Sequence, residues 1–168
     1  MWRIVMICVG LMGLLSGTEI VMLAGTRQPY RDPFTPYEAI MPGQPAEALQ
    51  QYPCNLYRDE TSTAHCTFAL QEGPFDFVQV VYDHTITWIG FTVHPGNLYL
   101  GDLIQCWGKF SSIELDNPKF RTPYADVFWG QQKNATIFAD RHGTHLSFLL
   151  PIHSVSIAGE YQKCRSSQ

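Results

Sequence analysis

Apolar and polar residues alternate with a period of two over much of the chain, the mark of half-buried strands. Stretches 65–71, 75–82 and 85–93 are separated only by Glu72-Gly73-Pro74 and Asp83-His84, so they predict a three-stranded meander. In the third stretch Ile86, Trp88, Gly90 and Thr92 fall on one face, and Thr85, Thr87, Ile89, Phe91 and Val93 on the other. Further strands are predicted at 109–115, 124–129, 134–139, 145–150 and 152–158, with breaks at Asp116-Asn117-Pro118 and around the hairpin loop Asp140-Arg141-His142-Gly143-Thr144. The polar run 54–63 predicts a loop.

Between the two sets of strands the period changes to that of a helix. Pro95-Gly96-Asn97 turns the chain, Gly101 can cap a helix, Asp102 suits its first turn, and Gly108 can end it. Leu100 with Ile104 and Leu103 with Trp107 stand four residues apart and make one apolar face two turns long. The resulting fold class is α+β: an antiparallel sheet of about six to eight strands with one short helix, at about 101–107, packed on a face.

The first 53 residues have another pattern. From Ile4 to Gly25 the chain is apolar except for Glu19, and as a helix this run would span roughly 33 Å, enough to cross a bilayer. The expectation is an uncleaved transmembrane helix over 1–25, preceding the domain; a cleaved signal peptide is the alternative, and either delivers the rest of the chain across a membrane. Residues 26–53 carry six prolines and predict a tether, within which 45–52 can form a short helix. The extracytoplasmic domain is expected over 54–164, with 165–168 as a tail.

Cysteine usage agrees with an oxidising compartment. Beyond Cys8 in the apolar run there are four, Cys54, Cys66, Cys106 and Cys164, which permit three pairings. The favoured pairing is Cys54 with Cys66, closing a short polar loop, and Cys106 with Cys164, fastening the chain end to the helix. A net charge of -4 with only 15% charged residues lacks the basic footprint that nucleic acid requires.

The segment Leu100-Gly101-Asp102-Leu103-Ile104-Gln105-Cys106-Trp107-Gly108 resembles, over about residues 96–110, the helix-to-strand junction of small bacterial envelope domains of the outer-membrane assembly lipoprotein and β-lactamase-inhibitor-protein type. The chain departs from that pattern in three ways: Phe110 stands where Pro is usual, strands precede the helix, and the lipoprotein cysteine is absent. The resemblance implies an envelope protein that acts by protein contact, and it carries over no functional residue.

Catalytic chemistry finds little to work with. His142, His145 and His153 are weak candidates for a metal site, set against a polar hairpin loop as the plainer account. No Gly-x-Ser-x-Gly is present, and Asp59-Glu60 and Glu114-x-Asp116 read as solvated charges. Asn134-Ala135-Thr136 is a glycosylation sequon whose meaning depends on the host. The aromatic residues Trp88, Phe91, Tyr99, Tyr124, Phe128 and Trp129 are numerous enough that some could meet a partner, and Glu19 within the anchor hints at a partner helix in the membrane. The expectation is therefore a membrane-anchored, single-pass, non-enzymatic protein-binding module, an accessory or assembly subunit of an envelope complex with no cofactor. The alternatives are a small-ligand sensor with a pocket between helix and sheet and, less favoured, a His-based metal enzyme.

Overall fold

The computed structural model describes residues 32–58, 63–115, 124–138 and 146–164. The leader at 1–25, with Glu19 and Cys8, lies outside these residues, as do the 140–144 loop, His142 and His145. Among the described residues no helix is long and apolar enough to cross a membrane.

Among the described residues eight strands form one sheet: β1 Asn55–Arg58, β2 Ala64–Ala69, β3 Phe75–Tyr82, β4 Ile86–Val93, β5 Ser112–Leu115, β6 Tyr124–Trp129, β7 Lys133–Phe138 and β8 Ile152–Ala158. The order is β1-β2-β3-β4-β8-β7-β6-β5, with every pair antiparallel. Two four-stranded meanders thus join along their last strands, β4 against β8 (Gly90 opposite Ser156). The α+β architecture and antiparallel sheet agree with the sequence pattern.

This order gives the helix α1, Leu100–Trp107, its task. β4 is central and β5 is the far edge, so the connection must cross β8, β7 and β6, roughly 19 Å at about 4.8 Å per strand spacing. An eight-residue helix covers about 12 Å of that. The backbone of Leu100 donates to the carbonyl of Leu150 and that of Ile152 to Leu98, fixing the start of α1 beside the start of β8. At its other end Trp107 meets Trp129 edge-on at 5.2 Å. The N-cap is Tyr99 instead of the expected Gly101, because Asp102 reaches back to accept the Tyr99 N–H at 2.9 Å.

The expected tether is corrected from Asp32 onward. Two short 3₁₀ helices, Thr35–Ile40 and Ala46–Gln51, lie on the α1 side of the sheet and bury Phe34, Tyr37, Ile40, Met41 and Leu49. Proline opens both, its missing N–H being harmless in a first turn. Phe34 is fully buried, with its ring 5.3 Å from Trp107, 5.5 Å from Phe75 and 5.6 Å from Phe91. The packed domain therefore includes residues 32–53.

Asp32 and the segment around Tyr161 and Cys164 are fastened together at this corner. Asp32 Oδ2 accepts from the Tyr161 hydroxyl and the Cys164 N–H, both at 2.9 Å, while Oδ1 accepts from the Phe34 N–H at 2.9 Å. Cys106 pairs with Cys164 and Cys54 with Cys66, with Cα separations of 4.4 and 5.2 Å, as the favoured pairing expected.

Two further expectations fail. Residues 55–58 of the polar run after Cys54 are strand β1, not a loop, because β2 supplies their backbone partners; 59–62 lie outside the described residues. Residues 147–150 form a turn where a strand was expected; Leu146, Phe148 and Leu149 are 51%, 67% and 76% exposed.

Candidate functional site

The sheet has two unlike faces. The one under α1 and the 3₁₀ helices is apolar and buried, with Phe68, Val78, Val80, Ile89, Phe91, Val127, Ile137, Val155 and Ile157 all nearly inaccessible. On the other face no described side chain is buried. Register defines its central row: Asn55, Thr67, Gln79, Gly90, Ser156, Asn134, Phe128 and Ser112 stand opposite one another across all eight strands. This row is almost wholly neutral and polar.

Rings gather toward both ends of the open face. On one half Tyr57 stacks on His65 at 4.6 Å and 10°, and its hydroxyl accepts from Gln79 Nε2 at 2.8 Å. On the other half Tyr124, Phe138 and His153 cluster at 5.0, 5.1 and 5.5 Å. Beside them the Thr136 hydroxyl donates to Asp126 at 2.6 Å. Between the two halves lies Trp88, on β4 next to Gly90.

Three register irregularities shape this face. Between β3 and β4 the pairing slips at Val81/Tyr82, so Ile86 turns into the core with Ile89 instead of sharing the Trp88 face as strict alternation predicts. The Ile86 backbone is held there by bonds with Gly43 and Gln44. A second slip in β3, between Phe75 and Phe77, leaves Asp76 exposed; its carboxylate lies 2.9 Å from His94 Nδ1. In β8 a slip between Ile152 and Ser154 lets Ile152 and Val155 both reach the core while His153 stays out.

The aromatic candidates now divide. Trp88, Tyr124 and Phe128 stand on the open face. Phe91, at 1% exposure, and Trp129, whose Nε1–H donates to the Gly108 carbonyl at 2.8 Å, belong to the core. Tyr99 is taken up in capping α1. Asn134 of the sequon is half-buried within β7. What the sequence reading missed are the neutral polar partners Gln79, Ser154, Ser156 and Thr136; alternation marks them as outward, but only the cross-strand register unites them.

Metal chemistry has little footing among the described residues. His153 has aromatic neighbours and no described His or carboxylate beside it in a ligand set. Asp32, Cys106 and Cys164 are the one described trio of suitable atoms within 4.8 Å of each other. Both sulfurs are joined in a disulfide, so neither is a thiolate. The space between α1 and the sheet, where the alternative reading placed a sensor pocket, holds Phe34, Leu100, Leu103 and the rings around them. A cavity of about 500 Å³ is an open groove at the β1 edge, lined by Glu47, Leu49, Tyr52, Leu56 and Tyr82 among others.

Among the described residues, burial displaces two titratable groups from their ordinary range. Burial raises the Tyr37 phenol above its ordinary range; its hydroxyl donates to the Glu72 carbonyl at 3.1 Å. Burial lowers the Lys133 ammonium, partly offset by Asp32; its Nζ sits 5.3 Å from the Trp107 ring centre. Comparison with known proteins returns no match to a family model, a curated protein or a solved structure.

Proposed function

We propose that this chain is a membrane-anchored, extracytoplasmic protein-binding module, an accessory or assembly subunit of a cell-envelope complex, with no catalytic role of its own. The observation that carries the reading is the uncovered sheet face. An antiparallel sheet with one face on a core and the other in water is ordinary, and the water face is then polar. Here the central row is neutral and flanked by ring clusters, the composition of an interface: aromatic anchors, few charges at the centre.

Three further features support it. Two cross-links fit an oxidising compartment. The apolar run 4–25 would hold the domain at a membrane. The exposed Phe148 and Leu149 give a second apolar contact point.

The test is isolation of the full-length chain in mild detergent after brief cross-linking. A partner in fixed stoichiometry is expected, lost in Tyr124→Glu and Phe128→Glu, which charge the open face without touching the core. Recovery of a lone monomer, or a partner that both variants retain, overturns the reading.

A further inference from the structure

We infer that the open face holds a binding site for a neutral sugar, with Trp88 as the platform on which a pyranose ring stacks. The site is a trough of about 210 Å³ on β3, β4 and β8, lined by Phe77, Gln79, Trp88, Thr92, Ser154 and Ser156 over the backbone of Gly90. It stands on its own lining and does not rest on the protein-binding proposal.

The platform follows from Gly90. A methyl group placed on its Cα would lie 2.4 Å from Trp88 Cη2 and 3.0 Å from Cζ2, so the indole lies across the strand in the space a side chain would fill. One edge of the tryptophan is thereby held against the sheet, covering backbone that glycine leaves bare. No other described ring packs on Trp88. An indole held down in this way cannot fold into the core, and it offers a fixed apolar surface at the mouth of the trough.

The rim supplies the rest of the chemistry. Gly90 stands opposite Gln79 and Ser156, and Thr92 opposite Phe77 and Ser154, so an amide and three hydroxyls ring the platform at strand spacing. The hydroxyls of Thr92, Ser154 and Ser156 and the indole N–H of Trp88 make no hydrogen bond to another described side chain. Each is both fixed by a rigid strand and open to a ligand. A few placed polar groups around an apolar surface are what orient a small ligand.

The lining also excludes other ligands. No charged side chain among the described residues lines the trough, so none of them pairs with a phosphate, a carboxylate or a metal ion there. Nucleic acid needs cations along its backbone path, and the chain carries a net charge of -4. A peptide that extends a sheet bonds to an edge strand, and β4 and β8 are central. A pyranose ring remains: apolar on one side, edged with hydroxyls that both donate and accept, and without charge.

The test uses the full-length chain in a detergent without a sugar headgroup. The indole N–H signal of Trp88, identified by its absence in Trp88→Phe, is followed by NMR during titration with cellotetraose, xylotetraose, maltotetraose and chitotetraose to about 10 mM, well above a millimolar Kd. At least one of these should shift the Trp88 signal saturably, and Trp88→Ala should weaken that binding at least tenfold. Should Trp88→Ala fail to fold, Ser154→Ala with Ser156→Ala takes its place, and the same loss is expected. No saturable shift with any of the four overturns the inference. So does binding that the variants leave unchanged, or a response to an oligogalacturonate alone.

Discussion

Replacing both cysteines of a cross-link by alanine, Cys106 with Cys164 in one variant and Cys54 with Cys66 in another, tests what each staple does to the unfolded chain. A disulfide removes loop-closure freedom from the unfolded ensemble, and the effect grows with the logarithm of the enclosed length. The sequence separations are 58 and 12. On that scaling the long staple contributes about 4 kcal/mol and the short one about 3 kcal/mol, a difference near (3/2)RT ln(58/12), or about 1.4 kcal/mol. Total stabilities of such domains are of order 5–15 kcal/mol, so either loss is easily measured. The folded state points the same way: Cys106 is buried on α1, and Cys164 sits in a tail segment bonded to Asp32, whereas Cys54 fastens an edge strand whose side chains are all exposed. Urea unfolding followed by circular dichroism, with the slopes compared between variants, gives both free energies. The Cys106/Cys164 variant should be the less stable by about 1–2 kcal/mol. An equal or larger cost for Cys54/Cys66, or a loss under about 1 kcal/mol for Cys106/Cys164, refutes the reasoning.

Three other outcomes are expected. Phe34→Ala should cost about 3–5 kcal/mol in the same urea assay, since it empties the centre of a ring cluster, whereas a residue in a flexible tether would cost nothing measurable. Asp32→Ala leaves three N–H and O–H donors without their acceptor and should cost about 2–4 kcal/mol; a value near zero would show that the tail is not held there. The Tyr37 phenol is raised by burial, so its neutral form is favoured in the folded state and its contribution is whole below pH ~10, draining away as pH rises further. Tyr37→Phe should therefore cost about 1 kcal/mol at neutral pH and progressively less above pH ~10, and a cost that stays constant across that range would remove the linkage.

Three strands were legible with their ends: 75–82, 124–129 and 152–158 match β3, β6 and β8 residue for residue. The failures have separate causes. Proline density at 26–53 reports lost donors and fixed φ, and it is silent on burial. The informative signal was the spacing of Phe34, Tyr37, Ile40 and Met41, which puts apolar side chains on one side of a tight helix. The apolar run Leu146-Ser147-Phe148-Leu149-Leu150 misled in the opposite sense, because hydrophobicity alone does not distinguish a core strand from an exposed turn. β1 was hidden for a third reason: an edge strand can be specified by its neighbour's backbone.

The site was half legible for a related reason. Alternation alone placed Trp88, Gly90 and Thr92 on one face of β4 and Phe91 on the other, and the structure keeps that division. It could not say which face would stay open. That depended on Phe34 and α1, which come from outside the strand and choose the Phe91 side because Phe75 and Trp107 complete the ring cluster there. Once those rings are committed, Trp88 has no core left to enter, and Gly90 gives it a place to lie instead. The exposed platform is thus a consequence of how the opposite face packs. Gly90→Val tests this dependence: added bulk should dislodge the indole and change the Trp88 NMR signal while the buried Phe91 side keeps its stability within about 1 kcal/mol, and a fall as large as that of Phe34→Ala would mean the two faces are not separable.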